Sequence, residues 1–375
     1  MKIALVISCK MRFGGAERRL VRVLNEAGKR HEVFFLVRGC SRAFLDESLS
    51  LANCDVSHIS RIIAVEDGSR IRGSLKALRR LRGLDVDVVH VYGASRFNAA
   101  LTAWAHAVGK RVLFSMVDCV TFYDSMGFIE EKTSASLLSG RLLDFILRRV
   151  DVLDVLCPEQ LSFYSQKVRR GCLVGSTPGT FTDLEAYRPQ PKERLFVFIA
   201  ARLNKQKNPQ LMVDAVKMCQ DALRASGYKV LICGCGWEEE RIRGQIEDLR
   251  LDDIVTMPGY VSPREVLPKA EVLCALQKGT NYPSQTIAEA VASGCFVIAT
   301  DVGETRRMLD PSFSSLVDPF AAELSRAMES YILLAEDQKH RCFADARGYA
   351  ERHFSIAPSR EYFLGLYESC QPGAR

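Results

Sequence analysis

The chain has 375 residues, of which 47% are hydrophobic and 26% are charged, and its formal net charge is +6. This composition is typical of a globular protein long enough for two domains, and it excludes an intrinsically disordered chain. The lack of an apolar run of about 18 residues excludes a membrane-spanning helix, and thirteen scattered cysteines predict free thiols in a reducing cytoplasm.

The first half of the chain alternates short apolar strands with helical segments. Its apolar start is followed by basic residues, the reverse of a signal peptide, and predicts a first strand. Gly14 and Gly15 follow that strand and open a helix, which predicts an anion site at the helix start or, alternatively, a tight turn. The predicted strands are Ile3–Ser8, Val33–Val37, Val86–Val91, Val112–Phe114, Val152–Cys157 and Cys172–Val174, and the predicted helices are Gly15–Ala27, Arg70–Leu81, Phe97–Val108 and Ser134–Val150.

The second half starts a new series after the polar, Pro-rich segment Tyr187–Arg194. Because alternating strands and helices form parallel sheets covered on both faces, we predict an α/β protein with two Rossmann-like domains facing one cleft. The predicted domains are residues 1–190 and 191–354, and a C-terminal helix over 355–375 is expected to pack back on the first domain. The predicted strands are Leu195–Ala200, Lys229–Cys233, Ile254–Met257, Val272–Leu276 and Cys295–Thr300, and a helical tail is predicted from Ala321 to Cys370.

Positive charge is concentrated in the first half. Residues 1–190 carry 28 Lys and Arg against 20 Asp and Glu, a net of +8, whereas residues 191–375 carry 23 against 25. The densest basic run is the predicted helix from Arg70 to Arg82. It favours an anionic membrane surface or a polyanionic partner, and a solvated helix face explains it equally well. Aromatic RNA-binding runs and zinc-finger spacings are absent, so no nucleic-acid partner is predicted.

Two cations follow the first strand of the second half. Arg202 and Lys207 lie in the loop after that strand, and ligands of parallel sheets bind in the crevice at the carboxyl ends of the strands. Two fixed cations at this position neutralise a diphosphate leaving group. The alternative is a loop that is merely basic.

The segment from Asn281 to Glu304 predicts a second phosphate-binding element. Ser284 occupies the N-cap position of a short apolar helix, whose unpaired N–H groups and positive dipole end suit a phosphate. Glu289 lies about one and a half turns into that helix. Its carboxylate suits the vicinal hydroxyls of a sugar, so the segment predicts a site for a sugar attached to phosphate.

A Gly-x-Gly pattern follows the second strand of the second half, at Gly234 and Gly236. The third glycine of a dinucleotide fingerprint is missing, because Glu239 occupies its place. The pattern therefore argues against an NAD-dependent enzyme.

These features resemble the donor-binding half of retaining GT-B glycosyltransferases of the family 4 type, the glycosyl transferases group 1. Their signature is a Glu, seven residues and a second Glu, followed by a small pair with Gly, an apolar strand and a Gly turn. Glu289 matches the second Glu, and Asn281 stands where the first is usual. The pair Arg202 and Lys207 resembles the diphosphate-binding pair of the family, with Asn208 where Gly is usual. The resemblance covers nearly the whole chain and is strongest from residue 195 to residue 304.

The resemblance implies a GT-B fold and the transfer of a sugar, with retention of configuration, from a nucleotide-diphosphate sugar to a hydroxyl acceptor. The first domain then binds a glycan or lipid-linked acceptor, and the second binds the donor. The setting that it implies is the synthesis of a surface polysaccharide, such as lipopolysaccharide, or of a lipid-linked glycan, in the cytoplasm or peripherally on the inner face of the cell membrane. No metal and no cofactor is expected beside the donor itself, since no Asp-x-Asp stands in a suitable loop.

The residue roles that the resemblance implies fall into two groups. Arg202, Lys207 and Glu289 serve the reaction, the two cations at the diphosphate and the carboxylate at the ribose. The residues expected to bind the donor are Gly14, Gly15, Gly234, Val261, Asn281, Ser284, Gln285 and Thr286, with Val261 near the nucleobase.

Two departures bear on the sugar end of the site. Relatives usually have His then Asp after the fourth strand, whereas this chain has Val117 and Asp118, which we assign to the acceptor or sugar side. His90, flanked by valines, is expected to be a core residue, or a residue that supports the site without contacting the substrate, and not a catalyst. Two alternatives stay open: a non-catalytic sugar-nucleotide-binding subunit, which Asn281 and Val117 favour, and a nucleotide-sugar epimerase of the same fold, which Val117 disfavours.

Overall fold

The computed structural model describes residues 1–8, 13–52, 54–66, 70–116 and 134–371. The chain forms two compact units. The first unit is Met1–Gly179 together with Ala357–Arg375, and the second unit is Thr180–Ile356.

The chain enters the second unit earlier than the predicted boundary at residue 190. The reason is that the segment after Gly179 bonds within the second unit. The Thr182 N–H donates to the Phe354 carbonyl oxygen at 2.9 Å, and the Tyr187 side chain is buried in that unit's core.

The first unit contains a parallel sheet whose strands are β1 (Lys2–Ser8), β2 (Glu32–Arg38), β3 (Arg61–Val65), β4 (Val88–Tyr92), β5 (Arg111–Ser115), β6 (Val152–Val155) and β7 (Leu173–Ser176). Their order in the sheet is β3-β2-β1-β4-β5-β6-β7. Residues Ile3–Ile7 of the central strand β1 are all buried, because helices cover both faces of the sheet. This is the reason why the strand reads as a continuous apolar run.

The second unit contains a parallel sheet whose strands are β8 (Glu193–Arg202), β9 (Lys229–Cys235), β10 (Val255–Gly259), β11 (Ala270–Ala275), β12 (Phe296–Thr300) and β13 (Ser314–Val317). Their order is β10-β9-β8-β11-β12-β13. The direction of strand addition reverses between β8 and β11, as it reverses between β1 and β4 in the first sheet. Both sheets are therefore doubly wound, and each has one switch point.

Helices connect the strands and cover the sheets. The helices of the described residues are α1 (Gly15–Ala27), α2 (Arg42–Leu51), α3 (Arg70–Arg82), α4 (Arg96–Ala107), α5 (Ser134–Leu147), α6 (Glu159–Ser165), α7 (Pro209–Ser226), α8 (Glu239–Asp248), α9 (Pro263–Val266), α10 (Gln285–Ala292), α11 (Ala321–Ile332), α12 (Glu336–His353) and α13 (Ile356–Glu368), and a 3₁₀ turn runs over Thr305–Met308. Within the described ranges, no helix combines the length and the apolar character needed to cross a bilayer.

The predicted C-terminal helical tail is present as α11, α12 and α13. Almost all of α13 lies in the first unit. There the Tyr362 hydroxyl donates to Asp154 Oδ1 at 2.8 Å, and Tyr362 and Leu366 pack against Gly175. This helix is thus part of the first unit's core.

Four elements were missing from the sequence prediction: β3, β13, α2 and α6, of which α6 has only seven residues. The two strands are the edge strands of their sheets, and most of their residues are only half-buried or exposed, so they lack a continuous buried run. The helix α2 buries only Leu45, Ser48 and Leu49, which leaves a weak apolar stripe.

Candidate nucleotide-sugar site

The switch point of the second sheet brings two loops together. One loop follows β8 and runs from Leu203 to Asn208, and the other follows β11 and runs from Leu276 to Ser284. The Lys278 N–H of the second loop donates to the Gln206 carbonyl oxygen of the first at 3.0 Å. Ligands of doubly wound sheets bind at this place, outside the carboxyl ends of the strands.

Of the predicted cations, Arg202 lies at the end of β8 and Lys207 lies in the loop that follows it. Arg202 ends β8 and is exposed, and Lys207 is half-buried. Burial first, and the positive charge of Arg202 second, lower the pKa of Lys207 to about 8. An ammonium that is partly desolvated beside a second cation is stabilised by an anion, so the electrostatics of this loop favour a phosphate.

Asn281 connects Lys207 with the start of helix α10. Its Oδ1 accepts a hydrogen bond from Lys207 Nζ at 2.9 Å, and its Nδ2 donates to Ser284 Oγ at 3.1 Å. Ser284 Oγ in turn accepts from the Ile287 N–H at 3.4 Å, which confirms Ser284 as the helix N-cap. The sequence placed Asn281 at the donor sugar, and its link to Lys207 was not predicted.

The backbone of Asn208 explains why a glycine or an asparagine suits this position. Its φ of 58° and ψ of 48° are left-handed, and it is the N-cap residue of α7. Asparagine adopts this conformation more readily than most residues do, which makes it a conservative replacement for glycine. The loop that carries Lys207 therefore keeps its shape.

The end of β9 and the residue that follows it approach β8 and its loop closely. A Cβ at Gly234 would lie 1.9 Å from the Ala200 carbonyl oxygen, and a Cβ at Gly236 would lie 2.4 Å from the Leu203 carbonyl oxygen. Both glycines have positive φ, 137° and 154°. Close packing of the backbone therefore requires glycine at both positions. This requirement explains Gly234 independently of its expected role in donor binding. The next residue, Trp237, is 97% exposed.

The remaining predicted residues of the second unit differ in accessibility. Glu289 is completely buried in α10, so a ribose reaches its carboxylate only after neighbouring atoms move. Thr286 and Val261 are half-buried. The side chain of Gln285 is engaged within the unit: its Oε1 accepts from the Thr180 hydroxyl at 2.9 Å.

The Gln285 Nε2 also donates to the Phe181 carbonyl oxygen at 3.1 Å. This side chain therefore binds the segment that leads into the unit, and only the backbone N–H of Gln285 is left for a ligand. The expectation that Gln285 binds the donor is corrected to that extent. No local sequence pattern predicts this contact, because the partners are more than a hundred positions apart.

In the first unit, a carboxylate of the protein itself accepts a hydrogen bond from the predicted glycine loop. Gly14 is the N-cap residue of α1, and its N–H donates to Glu17 Oε2 at 2.9 Å. The Tyr92 hydroxyl donates to the other oxygen of Glu17. The carboxylate of Glu17 thus occupies the position at the helix start where an anion binds. Gly15 begins the helix and is half-buried.

His90 lies in the core of the first unit, which confirms the core interpretation. Its Nδ1 is 2.8 Å from the Tyr367 hydroxyl and its Nε2 is 2.9 Å from Ser115 Oγ. Burial, with a contribution from Arg19, lowers the pKa of His90 to about 3. Ser115 Oγ also donates to Asp154 Oδ2 at 2.7 Å.

Val117 and Asp118, the residues assigned to the acceptor or sugar side, lie outside the described residues. Within the described ranges, no group of three or more His, Cys, Asp and Glu residues has the arrangement of a metal site.

Residues 182–347 match the family described as Glycosyl transferases group 1. This match covers most of the second unit, including the cationic loop and helix α10. The second unit is a group 1 glycosyltransferase domain. In keeping with this assignment, the whole chain has the GT-B fold, two doubly wound parallel-sheet units followed by a helical tail.

Three known proteins illustrate what the whole chain is similar to. It is 22% identical over 375 residues, 98% of either chain, to the GalNAc-alpha-(1->4)-GalNAc-alpha-(1->3)-diNAcBac-PP-undecaprenol alpha-1,4-N-acetyl-D-galactosaminyltransferase of Campylobacter jejuni. The solved structure of Anabaena Alr3699/HepE with UDP and glucose covers 98% of this chain and 100% of its own, with a TM-score of 0.78 and 14% identity. WaaG, a glycosyltransferase involved in lipopolysaccharide biosynthesis, covers 96% of this chain and 99% of its own, with a TM-score of 0.71 and 14% identity.

Proposed function

We propose that this protein transfers a sugar from a nucleotide-diphosphate sugar to a hydroxyl group of a glycan acceptor, with retention of configuration. In this reaction the bond between the anomeric carbon and the diphosphate breaks, and the diphosphate leaves with the electron pair. The acceptor oxygen forms the new bond to the anomeric carbon, and its proton passes to an oxygen of the departing diphosphate.

The observation that carries the proposal is the convergence of Arg202, Lys207 and the N-terminus of α10 at the switch point of the second sheet. Two cations and the free N–H groups of a helix start stabilise the negative charge that develops on a leaving diphosphate. The described residues of this site offer no pair of carboxylates for general acid and base catalysis of the glycosidase type. Positioning of the substrates and stabilisation of the leaving group therefore supply the rate enhancement.

The same two cations support a reaction that needs no metal, because they supply the charge that a divalent ion supplies at other diphosphate sites. The test is turnover in the presence of excess EDTA, with Mg²⁺ and Mn²⁺ restored in parallel. Unchanged turnover supports metal independence, and a loss that either ion reverses contradicts it.

The proposed acceptor is a lipid-linked or surface glycan, and the proposed place of the reaction is the cytoplasmic face of the membrane. The name of the Campylobacter jejuni relative describes transfer to an undecaprenol-linked glycan. That similarity extends over almost the full length of both chains, which supports the same class of acceptor.

A basic groove in the first unit supports contact with an anionic membrane surface. The groove measures about 530 Å³ and lies along the edge strand β3. Its charged lining residues are Arg42, Arg61, Glu66, Lys76, Arg79 and Arg80. Of the exposed apolar side chains on the adjacent helix α3, Ile71 is 75% exposed and Leu75 is 52% exposed. Basic residues beside exposed apolar ones favour attachment to anionic lipid headgroups.

Vesicle sedimentation tests this membrane contact. We expect the wild-type protein to sediment with vesicles that contain anionic lipid at low salt and less so at high salt. The double variant Arg79→Glu/Arg80→Glu should weaken binding by about an order of magnitude or more, because each basic residue contributes roughly 1 kcal/mol. The matched control is Arg250→Glu/Lys269→Glu, which removes the same charge at the amino ends of strands in the second sheet. Equal losses in both variants, or equal binding to neutral vesicles, contradict a specific contact.

The test of the transferase proposal combines binding with turnover. Nucleoside diphosphates and nucleotide sugars are screened by thermal shift, since a ligand that binds the folded state raises the midpoint temperature of thermal unfolding. The donor that binds is then offered in radiolabelled form to lipid-linked and oligosaccharide acceptors, with a hydrolysis control. Transfer of label supports the proposal. Binding without transfer favours a non-catalytic subunit, and conversion of the free nucleotide sugar favours an epimerase.

A further inference from the structure

We propose that Asn281 is a positioning residue, which fixes the Lys207 ammonium group for the donor diphosphate without neutralising it. This inference rests on the proposed function and adds a role that differs from contact with the donor sugar.

The geometry gives Asn281 two fixed hydrogen bonds. Its Oδ1 is 2.9 Å from Lys207 Nζ, and its Nδ2 is 3.1 Å from Ser284 Oγ. An amide carries no charge, and it can accept from an ammonium through its oxygen while its nitrogen donates to the hydroxyl of an N-cap residue. Both of its functional atoms are therefore used within the site, and they couple the cationic loop to the start of α10.

The charge that acts on Lys207 is positive. Arg202 lies close enough to contribute to the lowered pKa of Lys207. Among the described residues, no Asp or Glu forms an ion pair with Lys207. A carboxylate at position 281 would be the first anion in contact with this lysine, and it would compete with the diphosphate.

This arrangement has a measurable consequence for pH dependence. The free protein holds Lys207 with a pKa of about 8, and the diphosphate binds best to the ammonium form. The terminal phosphate of a nucleoside diphosphate has a pKa of about 6, so its affinity should be highest between about pH 7 and pH 8 and should fall as the pH rises above about 8. Asn281→Asp places an anion on Lys207, which raises its pKa and moves this fall to higher pH.

The experiment is calorimetry with UDP and GDP on wild-type protein and on Asn281→Asp, with uridine or guanosine titrated in parallel. We expect Asn281→Asp to weaken binding of the diphosphate about tenfold or more at pH 7, since a hydrogen bond to a charged group has this magnitude. Binding of the nucleoside should change less than about twofold, because it carries no phosphate. The pH at which diphosphate affinity falls should rise in the variant.

A double-mutant cycle separates this role from a general effect on folding. If Asn281 acts through Lys207, Asn281→Asp has little further effect in the background of Lys207→Ala. An unchanged ratio of diphosphate to nucleoside affinity in Asn281→Asp, or equal effects in both backgrounds, overturns the inference. Failure of the wild-type protein to bind either diphosphate overturns the proposed function as well, so the two failures are distinguishable.

Discussion

The side chain of Gln285 accepts a hydrogen bond from the hydroxyl of Thr180 at 2.9 Å, and both residues are buried. Gln285 is the first residue of helix α10, and Thr180 is the first residue of the second unit. The contact therefore ties the start of the helix that carries Ser284 and Glu289 to the segment by which the chain enters this unit.

The first prediction concerns this contact. Gln285→Ala removes the hydrogen bonds of the side chain to Thr180 and Phe181. The Thr180 hydroxyl and the Phe181 carbonyl oxygen then stay buried without these hydrogen-bond partners. The free energy of unfolding should fall by about 1–3 kcal/mol, the cost of buried polar groups that lose their partner. Urea denaturation measures it. The control is Thr286→Ala, the neighbouring half-buried residue for which no such contact to the entry segment occurs in the described part of the chain.

The second prediction concerns the two cations of the donor site. Arg202→Ala and Lys207→Ala should each lower turnover by about a hundredfold or more, the scale on which loss of a preorganised charge-stabilising group acts. The fold should persist, because Arg202 is exposed at the end of β8 and Lys207 lies in the loop that follows.

Lys205→Ala is the matched control for the cations, since Lys205 is an exposed lysine of the same loop. The turnover of Lys205→Ala should stay within a few-fold of wild type, in contrast to the loss of about a hundredfold expected for the two site cations. Near-normal turnover of Lys207→Ala, or an equal loss in Lys205→Ala, contradicts the assignment of the diphosphate pair.

The third prediction concerns Glu289. If its carboxylate binds the ribose, Glu289→Gln should weaken binding of a nucleoside diphosphate by about 1–3 kcal/mol, the range for a hydrogen bond to a charged group. Calorimetry measures the affinity, and thermal unfolding without ligand detects any damage to the core in which Glu289 is buried. The surface change Glu240→Gln is the control. Unchanged affinity at position 289 leaves this residue as part of the helix core only.

Local patterns predicted much of the second sheet and of helix α10. The N-cap at Ser284 was predicted from the residue type and the apolar run that follows it, and the structure shows the side chain accepting from Ile287. The first helix was predicted at its observed bounds, Gly15–Ala27, because a glycine pair and an amphipathic pattern mark it locally.

What the sequence did not predict depends on contacts between distant residues. Lys207 and Asn281 are 74 positions apart, so no local pattern reports their hydrogen bond. The hydrogen bond between the Gly14 N–H and Glu17 spans only three positions, so it is local in sequence. The orientation of the Glu17 carboxylate also depends on Tyr92, a distant residue whose hydroxyl donates to the other carboxylate oxygen. The edge strand β3 was missed because the exposure of its residues is set by its place in the sheet.

The fourth prediction concerns the stability of the first unit in acid. His90 is buried, and its pKa is lowered from 6.5 to about 3, first by burial and then by Arg19. The unfolded chain therefore binds a proton that the folded chain does not bind between about pH 6.5 and pH 3. Stability contributed by the neutral imidazole is present above pH 6.5 and is lost as the pH falls through this window, by up to about 1.4 kcal/mol per pH unit.

The test is urea denaturation between pH 4 and pH 7 on wild-type protein and on His90→Gln, which keeps hydrogen-bonding capacity for Ser115 and Tyr367. The pKa of Asp154 is raised by burial and changes stability in the opposite direction, so the informative quantity is the difference in slope between variant and wild type. We expect a shallower loss of stability on acidification in His90→Gln. His106→Gln, at an exposed position on α4, should keep the wild-type slope. Parallel curves for all three proteins would show that folding does not change the pKa of His90, and the predicted origin of the acid sensitivity would then be wrong.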